Sequence, residues 1–280
     1  LRPRLDTAQW RWLYLFLLNC RGQALSAGTE RNLHLATYSL SCLQQTRSKL
    51  GNDFSYDDSQ AGIVRLIGNQ KEADAAREYF AKHHQDEKII WMEPSELAAK
   101  DTAFEPAVKR NLIAGAVMGV TDESGDARIF ATKLATEFEN RGGEIRTNCR
   151  VTDFISQNGY VQGVTTEQGD ISADRVVLSS GVASKALAKK IGITIPVLPI
   201  KGYSVTVPII DESRVPISSC TDLKHRLVIS RLGMRLRVAG FAEIGSDKAC
   251  DAGRAAAARD RLEALFPDAA DYQSFDNWMG

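Results

Sequence analysis

The residues with the clearest chemical meaning are three small ones in a row, Ser179-Ser180-Gly181, placed directly after the apolar run Val176-Val177-Leu178. Ser and Gly carry little bulk and Gly frees φ, so another group can approach the backbone closely there. A helix predicted to start near Ser184 adds N–H groups suited to an anion or a dipole. Two readings of this turn stand side by side. It forms one wall of a ligand site beyond the end of a buried strand, where open α/β sheets bind ligands, or it is a tight strand-to-helix turn and nothing more. A second group is Arg231, Arg235 and Arg237, gathered around the turn Leu232-Gly233-Met234. A guanidinium is suited to a two-point grip on a carboxylate, whereas several arginines around one turn also suit a solvated face. The solvated reading is adopted for Arg235 and Arg237, and Arg231 is kept as the candidate clamp.

Other chemistry is excluded by what the chain lacks. It contains no G-x-G-x-x-G, no G-x-x-x-x-G-K-[ST], no H-E-x-x-H and no G-x-S-x-G. The histidines, His34, His83, His84 and His225, have no ligand spacing, and the pair His83-His84 reads as solvated. No metal site and no catalytic side chain is therefore assigned. The 5 cysteines are scattered without a C-x-x-C, which argues against a disulfide framework or a zinc site and suits a reducing compartment. Lys plus Arg and Asp plus Glu both number 35, so no bulk field points to nucleic acid. With 280 residues, 44% of them hydrophobic and 25% charged, the chain has material for about two domains with a substantial core. The most apolar stretch, Leu13 to Leu18, falls far short of the ~20 residues a spanning helix needs. Trp10, Arg11 and Trp12 would suit a membrane interface; the favoured reading is a helix packed on the body of the protein.

The elements that must position these residues follow from periodicity and punctuation. Helices are predicted over 7–20 and 28–49, the second with Leu33, Leu35, Ala36, Leu40 and Leu43 toward a core and Gly51 at its end. Strand 62–68, helix 71–84 and strand 88–92 follow, with Ser95 as a plausible N-cap for the next helix. Residues 111–120 read as a strand pair or a strand with a glycine break. Asp126 is expected to cap a helix over 127–140, and strand 144–147 follows its Gly-Gly stop. Asn158-Gly159 and Gln168-Gly169 mark hairpin turns, then strand 176–178 leads to helix 184–192. Alternating strands are predicted over 201–209, 226–231 and 235–244, before an Ala-rich helix over 252–267. The order implies a mixed α/β chain, a nucleotide-type α/β region interleaved with a β-rich one.

One stretch carries more than a pattern. "VQGVTTEQGDISADRVVLSSG" resembles the second cofactor-contacting segment of FAD-dependent oxidoreductases of the D-amino acid oxidase superfamily. "LRPRLDTAQWRWLYLFLLNCR", "SGDARIFATKLA", "PVLPIKGYSVTVPI" and "LVISRLGMRLRVAGFAEI" extend the likeness in the same order to the small subunits of bacterial D-amino acid dehydrogenases. The segment "PIKGYSVTVPI" is the most specific part. The resemblance implies an incomplete FAD-binding Rossmann-like domain interleaved with an antiparallel-sheet substrate domain. It divides the chain into a helical segment 1–50, a substrate-binding part 51–115 and 196–280, and part of the FAD domain at 116–195. Members open on a strand–G-x-G-x-x-G–helix and close on a Gly-rich segment. The chain is accordingly expected to be an internal fragment that begins after the first and stops before the second.

The resemblance also carries residues over. Val151 is expected to contact the adenine side of FAD through its backbone, though a buried valine is equally plain core. Ser179, Ser180 and Gly181 are expected near the adenosine and pyrophosphate. Tyr203 is a candidate for the wall of the substrate pocket, with Arg231 as the candidate carboxylate contact. The implied reaction is oxidation of a D-amino acid such as D-alanine by hydride transfer to flavin. The resulting imino acid is hydrolysed to a 2-oxo acid and ammonia, and the electrons pass to a quinone-type membrane acceptor. A cytoplasmic location, peripheral on the inner face of the plasma membrane, goes with that acceptor. The alternatives are a glycine- or sarcosine-type amine oxidase and a non-catalytic fragment that acts as a binding or interaction module.

Overall fold

The computed structural model describes residues 7–51, 54–83, 88–244 and 251–280. The chain divides into two compact units, Leu1–Gly51 with Ala135–Pro199, and Asn52–Leu134 with Ile200–Gly280. The sequence reading drew its boundaries at 115/116 and 195/196. The first of these cuts through a strand of the second unit's sheet, so residues 116–134 remain with that sheet.

The second unit is built on eight strands. In chain order they are β1 (Ile63–Ile67), β2 (Ile89–Met92), β3 (Gly115–Gly119), β7 (Ile200–Pro208), β8 (Ser219–Asp222), β9 (Leu227–Leu232), β10 (Arg235–Ile244) and β11 (Asp276–Met279). Their order across the sheet is β11-β7-β10-β9-β8-β1-β3-β2, antiparallel at every step except the parallel pair β1–β8. β8 and β11 are short, and neither was anticipated from the sequence.

Alternation gives this sheet two unlike faces. On one, Val205, Val238, Ile229, Cys220, Val64 and Met118 stand opposite one another in a single row across six strands. Helix α8 (Ala252–Leu265) brings Ala258, Leu262 and Leu265 into the same core, where Phe104 and Phe266 meet edge to face at 5.4 Å. On the other face, Ile67 and Val117 are covered by Ala73 and Phe80 of α3 (Gln70–His83), with Trp91 beside them. The remainder of that face, on β7 to β10, carries hydroxyls and arginines.

Local rules account for the helix starts. Helix α4 (Pro94–Lys100) begins two residues sooner than a Ser95 cap would allow, because Pro94 already holds the φ of a first helical residue. The cap position falls to Glu93, whose N–H donates to the Glu96 carboxylate at 2.8 Å. Helix α5 (Glu105–Lys109) follows. Asp126 caps α6 (Ala127–Asn140) as expected, accepting from the N–H groups of Arg128 at 2.9 Å and Ile129 at 3.1 Å. Gly233 turns β9 into β10 at φ +58°.

The first unit holds α1 (Thr7–Asn19), α2 (Gly22–Leu50), the antiparallel sheet β4 (Val151–Gln157), β5 (Tyr160–Thr166) and β6 (Gly169–Ser172), and α7 (Ser184–Lys190). Asn158 and Gly159 both take positive φ, 54° and 80°, as a two-residue hairpin turn of their type requires. Three expectations fail in this unit. α2 starts six residues before 28, and none of its described residues is buried; Leu33 and Leu35 are 65% and 66% exposed. α1 is likewise exposed at Trp10, Tyr14, Phe16, Leu17 and Leu18 rather than packed on a body. Residues 144–147 and 176–178 form no strand, and Thr147 lies in a turn.

The cause is shared. A periodic apolar face reports what a helix can bury, and an apolar run reports what a strand can bury; neither supplies the neighbour. Within the described residues, 174–179 make no backbone hydrogen bond, and Val177 is 87% exposed. His84 lies outside the described residues, as does the side chain of His83.

Candidate functional site

The turn Ser179-Ser180 lines a cleft. β4 and β5 form one side of it, and 176–180 with α7 the other, enclosing about 510 Å³. That volume falls within the usual range of small-molecule sites, ~300–1,000 Å³. Val151, Ser179 and Ser180 all line it, although 28 residues separate Val151 from Ser179. Gly181 sits one residue beyond the lining, at φ +57°, and starts a short 3-10 turn over Gly181–Ala183. A side chain there would be strained at that φ although the space around it is open, so the glycine serves the turn itself. The hydroxyls of Ser180 and Ser184 are 3.0 Å apart. α7 has only seven residues, which leaves little macrodipole for an anion, so the helix start carries less of the site than expected.

The lining suits the adenosine end of a dinucleotide. Val151, Phe154, Val164, Leu178 and Leu187 supply apolar walls. Beside them, the N–H and C=O groups of 174–179 are unspent within the described residues, ready for a base edge or a ribose. Two cations also belong to the lining, Arg150 and Lys190, and sequence reasoning missed both. Lys190 is tied to Asp153 at 3.3 Å, and Asp153 titrates below its ordinary value because the Phe154 N–H and then Lys190 stabilise its charge. Arg150 precedes Val151 directly, a signal open to reading in the sequence, but only the curl of β4 places both residues on one cleft.

In the second unit the three arginines of the β9–β10 hairpin are not alike. Arg231 donates to Glu212 and, at 3.1 Å, to the Gly233 carbonyl. Arg235 donates to Asp57 at 3.0 Å and to the buried carboxylate of Asp126 at 2.9 Å. Burial works against the Asp126 charge, yet the backbone N–H groups it caps and Arg235 outweigh it and hold its pKa below the ordinary range. Arg237 meets no carboxylate among the described residues; it donates to the Ser204 hydroxyl at 2.9 Å. Tyr203 is buried on the core-packed side of β7, where its hydroxyl donates to Glu243 at 2.6 Å. Arg231 and Tyr203, the two substrate-side residues named from the sequence, thus have their polar groups committed to neighbours.

Another ionic cluster joins the buried Asp222 to Arg261 and His225. Arg261 donates to Asp222 at 2.6 Å, and the His225 ring nitrogen lies 2.9 Å from the same oxygen. Burial opposes the Asp222 charge, but Arg261 and His225 together keep its pKa below the usual carboxylate value.

Comparison with known proteins agrees with this architecture. The chain is 36% identical over 283 residues to a D-amino acid dehydrogenase of Paramagnetospirillum magneticum, a match over 99% of this chain and 65% of the relative. It is 33% identical to a D-amino acid dehydrogenase of Granulibacter bethesdensis, over 100% of this chain and 66% of that protein. The chain therefore spans about two thirds of the length of the curated relatives it matches. Among solved structures, glycine oxidase from Geobacillus kaustophilus superposes with a TM-score of 0.73 at 20% identity, covering 88% of this chain and 65% of that one. L-Proline dehydrogenase from P. horikoshii gives 0.68 at 16%, covering 83% and 63%. These two share the mixed α/β fold. The model of the DAO family, FAD-dependent oxidoreductases, matches residues 8–280, and the chain belongs to that family.

Proposed function

We propose that the chain serves the oxidative deamination of D-amino acids such as D-alanine to 2-oxo acids and ammonia, with electrons passed to a quinone-type membrane acceptor. The observation that carries this reading is identity of 33% to 36% along the whole chain to proteins named D-amino acid dehydrogenase. FAD, the cofactor of the family, supplies the hydride acceptor when bound. The chain's own residues do the holding. Val151, Phe154 and Leu178 would enclose the adenine side, and the open backbone of Ser179 with the Ser180 N–H, and Arg150 nearby, would hold the ribose and pyrophosphate. Gly181, at positive φ, lets the chain turn away from the cleft. No strong acid or base is required of the protein, because orientation of Cα and exclusion of water are its main contributions.

The membrane acceptor places the protein on the inner face of the plasma membrane, as a peripheral protein. Among the described residues no helix is long and apolar enough to cross a membrane. The exposed Trp10, Tyr14, Phe16 and Leu17 of α1, near Arg11, are of the kind that lies in a membrane interface.

The test is direct. The purified chain is mixed with FAD, freed of excess by gel filtration, and its absorbance spectrum recorded. A flavin band near one FAD per chain is expected, with bleaching on anaerobic addition of D-alanine and not of L-alanine. A colourless protein overturns the enzymatic reading of this chain and favours a non-catalytic module. A yellow protein bleached by glycine or sarcosine and indifferent to D-alanine supports the amine-oxidase alternative instead.

A further inference from the structure

We infer that Asp126 and Asp57 select the substrate by charge: they take up Arg235 with an excess of negative charge, and so fit the hydroxyl-lined face to amino acids whose side chains carry no second carboxylate. This deepens the reading of the chain as an amino-acid oxidoreductase and rests on it for the ligand being an amino acid.

The pattern lies on one face of the eight-stranded sheet. Residues two apart on a strand share a face. Arg235 and Arg237 of β10 and Arg65 of β1 therefore all turn away from the core built on Val64, Leu66, Leu236 and Val238. Two of these three arginines are answered. Arg65 lies 3.8 Å from Asp122. Arg235 reaches Asp57 at 3.0 Å and the buried Asp126 at 2.9 Å. Arg237 meets no carboxylate among the described residues and donates to Ser204. Around it the face is neutral, with Thr206 and Ser230 in register on either side and Ser219 linking Ser230 to Ser124. One anion is matched there, and a second meets no unanswered cation among these residues.

The Arg235 group goes further than neutrality. Asp126 divides its work, with Oδ1 accepting from the N–H groups of Arg128 and Ile129 while Oδ2 accepts from Arg235. The cap alone needs one oxygen, so the second is there for the arginine. With Asp57 added, two carboxylates surround one guanidinium and the group carries a net negative charge. Alternate residues of a strand lie about 7 Å apart, so an amino acid held near Arg237 extends its side chain within reach of that surplus. A carboxylate at the end of the side chain is repelled there, and an uncharged side chain is not.

Both aspartates can be neutralised with little else disturbed. Asn caps a helix about as well as Asp. Asp57 takes φ +55°, a region that Asn tolerates. The double variant Asp57→Asn/Asp126→Asn thus keeps the cap and the turn and leaves Arg235 as an unanswered cation.

The test uses the 280-residue chain, with propionate and the diacid glutarate as probes and calorimetry as the readout. Wild type is expected to bind propionate and to bind glutarate no more tightly. The double variant should gain about tenfold for glutarate, the order of one screened charge pair at this spacing, and at most about threefold for propionate. Adding Arg235→Met should abolish the gain. Glu212→Gln, which removes a negative charge from Arg231 instead, should give no such gain and so controls for bulk charge. Circular dichroism and melting report folding, and Asp57→Asn alone carries the comparison should the double variant fail to fold. Unchanged glutarate affinity in the Asn variants overturns the inference. So does an equal gain in Glu212→Gln, a gain that survives Arg235→Met, or failure of both acids to bind any of the proteins. Flavin binding is read separately. A chain that takes FAD and oxidises D-alanine while its Asn variants gain nothing for glutarate sinks this inference alone. A chain without flavin whose Asn variants gain glutarate sinks the function and leaves the charge selection standing.

Discussion

The two units were read from similar sequence and came out differently. In the second, "KGYSVTVPI" and "RLRVAGFAEI" lie in a sheet whose strands pair on both sides, with Leu236, Val238, Val205 and Val207 all closed to water. In the first, "RVVLSSG" also carries an apolar run, yet within the described residues it pairs with no strand and lies open, with Val177 at 87% exposure. The difference lies in the company each segment keeps. A β-strand is half of an interaction, and its backbone groups and side chains acquire energy only when a ladder and an opposing layer are present. The unpaired segment leaves its N–H and C=O groups unspent beside the cleft of β4, β5 and α7, the cleft proposed above for the adenosine end of FAD.

The contrast is best broken or sharpened by hydrogen exchange, where the effect is largest. Amides of β7, β9 and β10 should exchange only through opening of the whole unit, up to several kcal/mol of protection, whereas those of 144–147 and 175–179 should exchange near the rate of free chain. Slow exchange in 175–179 would show that it is paired and that the contrast is false. Next in size is the core. Phe266→Ala, which removes the ring packed on Phe104, should cost about 3–5 kcal/mol in urea unfolding, while Val177→Ala should stay within about 0.5 kcal/mol.

Acid gives a third contrast. Asp222 and Asp126, both in the second unit, have folded-state pKa values below their ordinary ones. Each therefore adds stability that is fully present above the unfolded carboxylate pKa of about 4 and is lost as pH falls through the folded value. Melting temperature should drop below about pH 4, and Asp222→Asn should flatten that drop while lowering stability at pH 7, since it leaves the partly buried Arg261 without its carboxylate. A small effect is expected at the turn of the cleft. Gly181→Ala should cost about 1 kcal/mol through its positive φ, read by thermal melting.

Much of the local structure around the candidate site was legible. The small-residue turn, the Asn-Gly hairpin and the Asp126 cap are local, and local chemistry decided them: φ freedom at glycine, a side-chain oxygen one turn from free N–H groups. What misled was everything needing a distant partner. Ser95 lost the cap because Pro94 had already started the helix. Leu33 and Leu35 marked a face with nothing packed on it within the described residues. Arg231, Arg235 and Arg237 are equivalent in sequence, alternating along one hairpin, and their difference lies in Glu212, Asp57 and Asp126, which come from other parts of the chain.

The sequence by itself determined which segments are helical or extended, where most of them turn, and, through motif order, the flavoenzyme family. Those properties depend on backbone propensity, side-chain period and ancestry, all written residue by residue. Only the tertiary structure decided which extended segments became strands, which of three arginines was left without a carboxylate, and that Val151 and Ser179 share one cleft. Each of those depends on a second group brought close by folding, and neither a ladder nor an ion pair exists until both partners are in place.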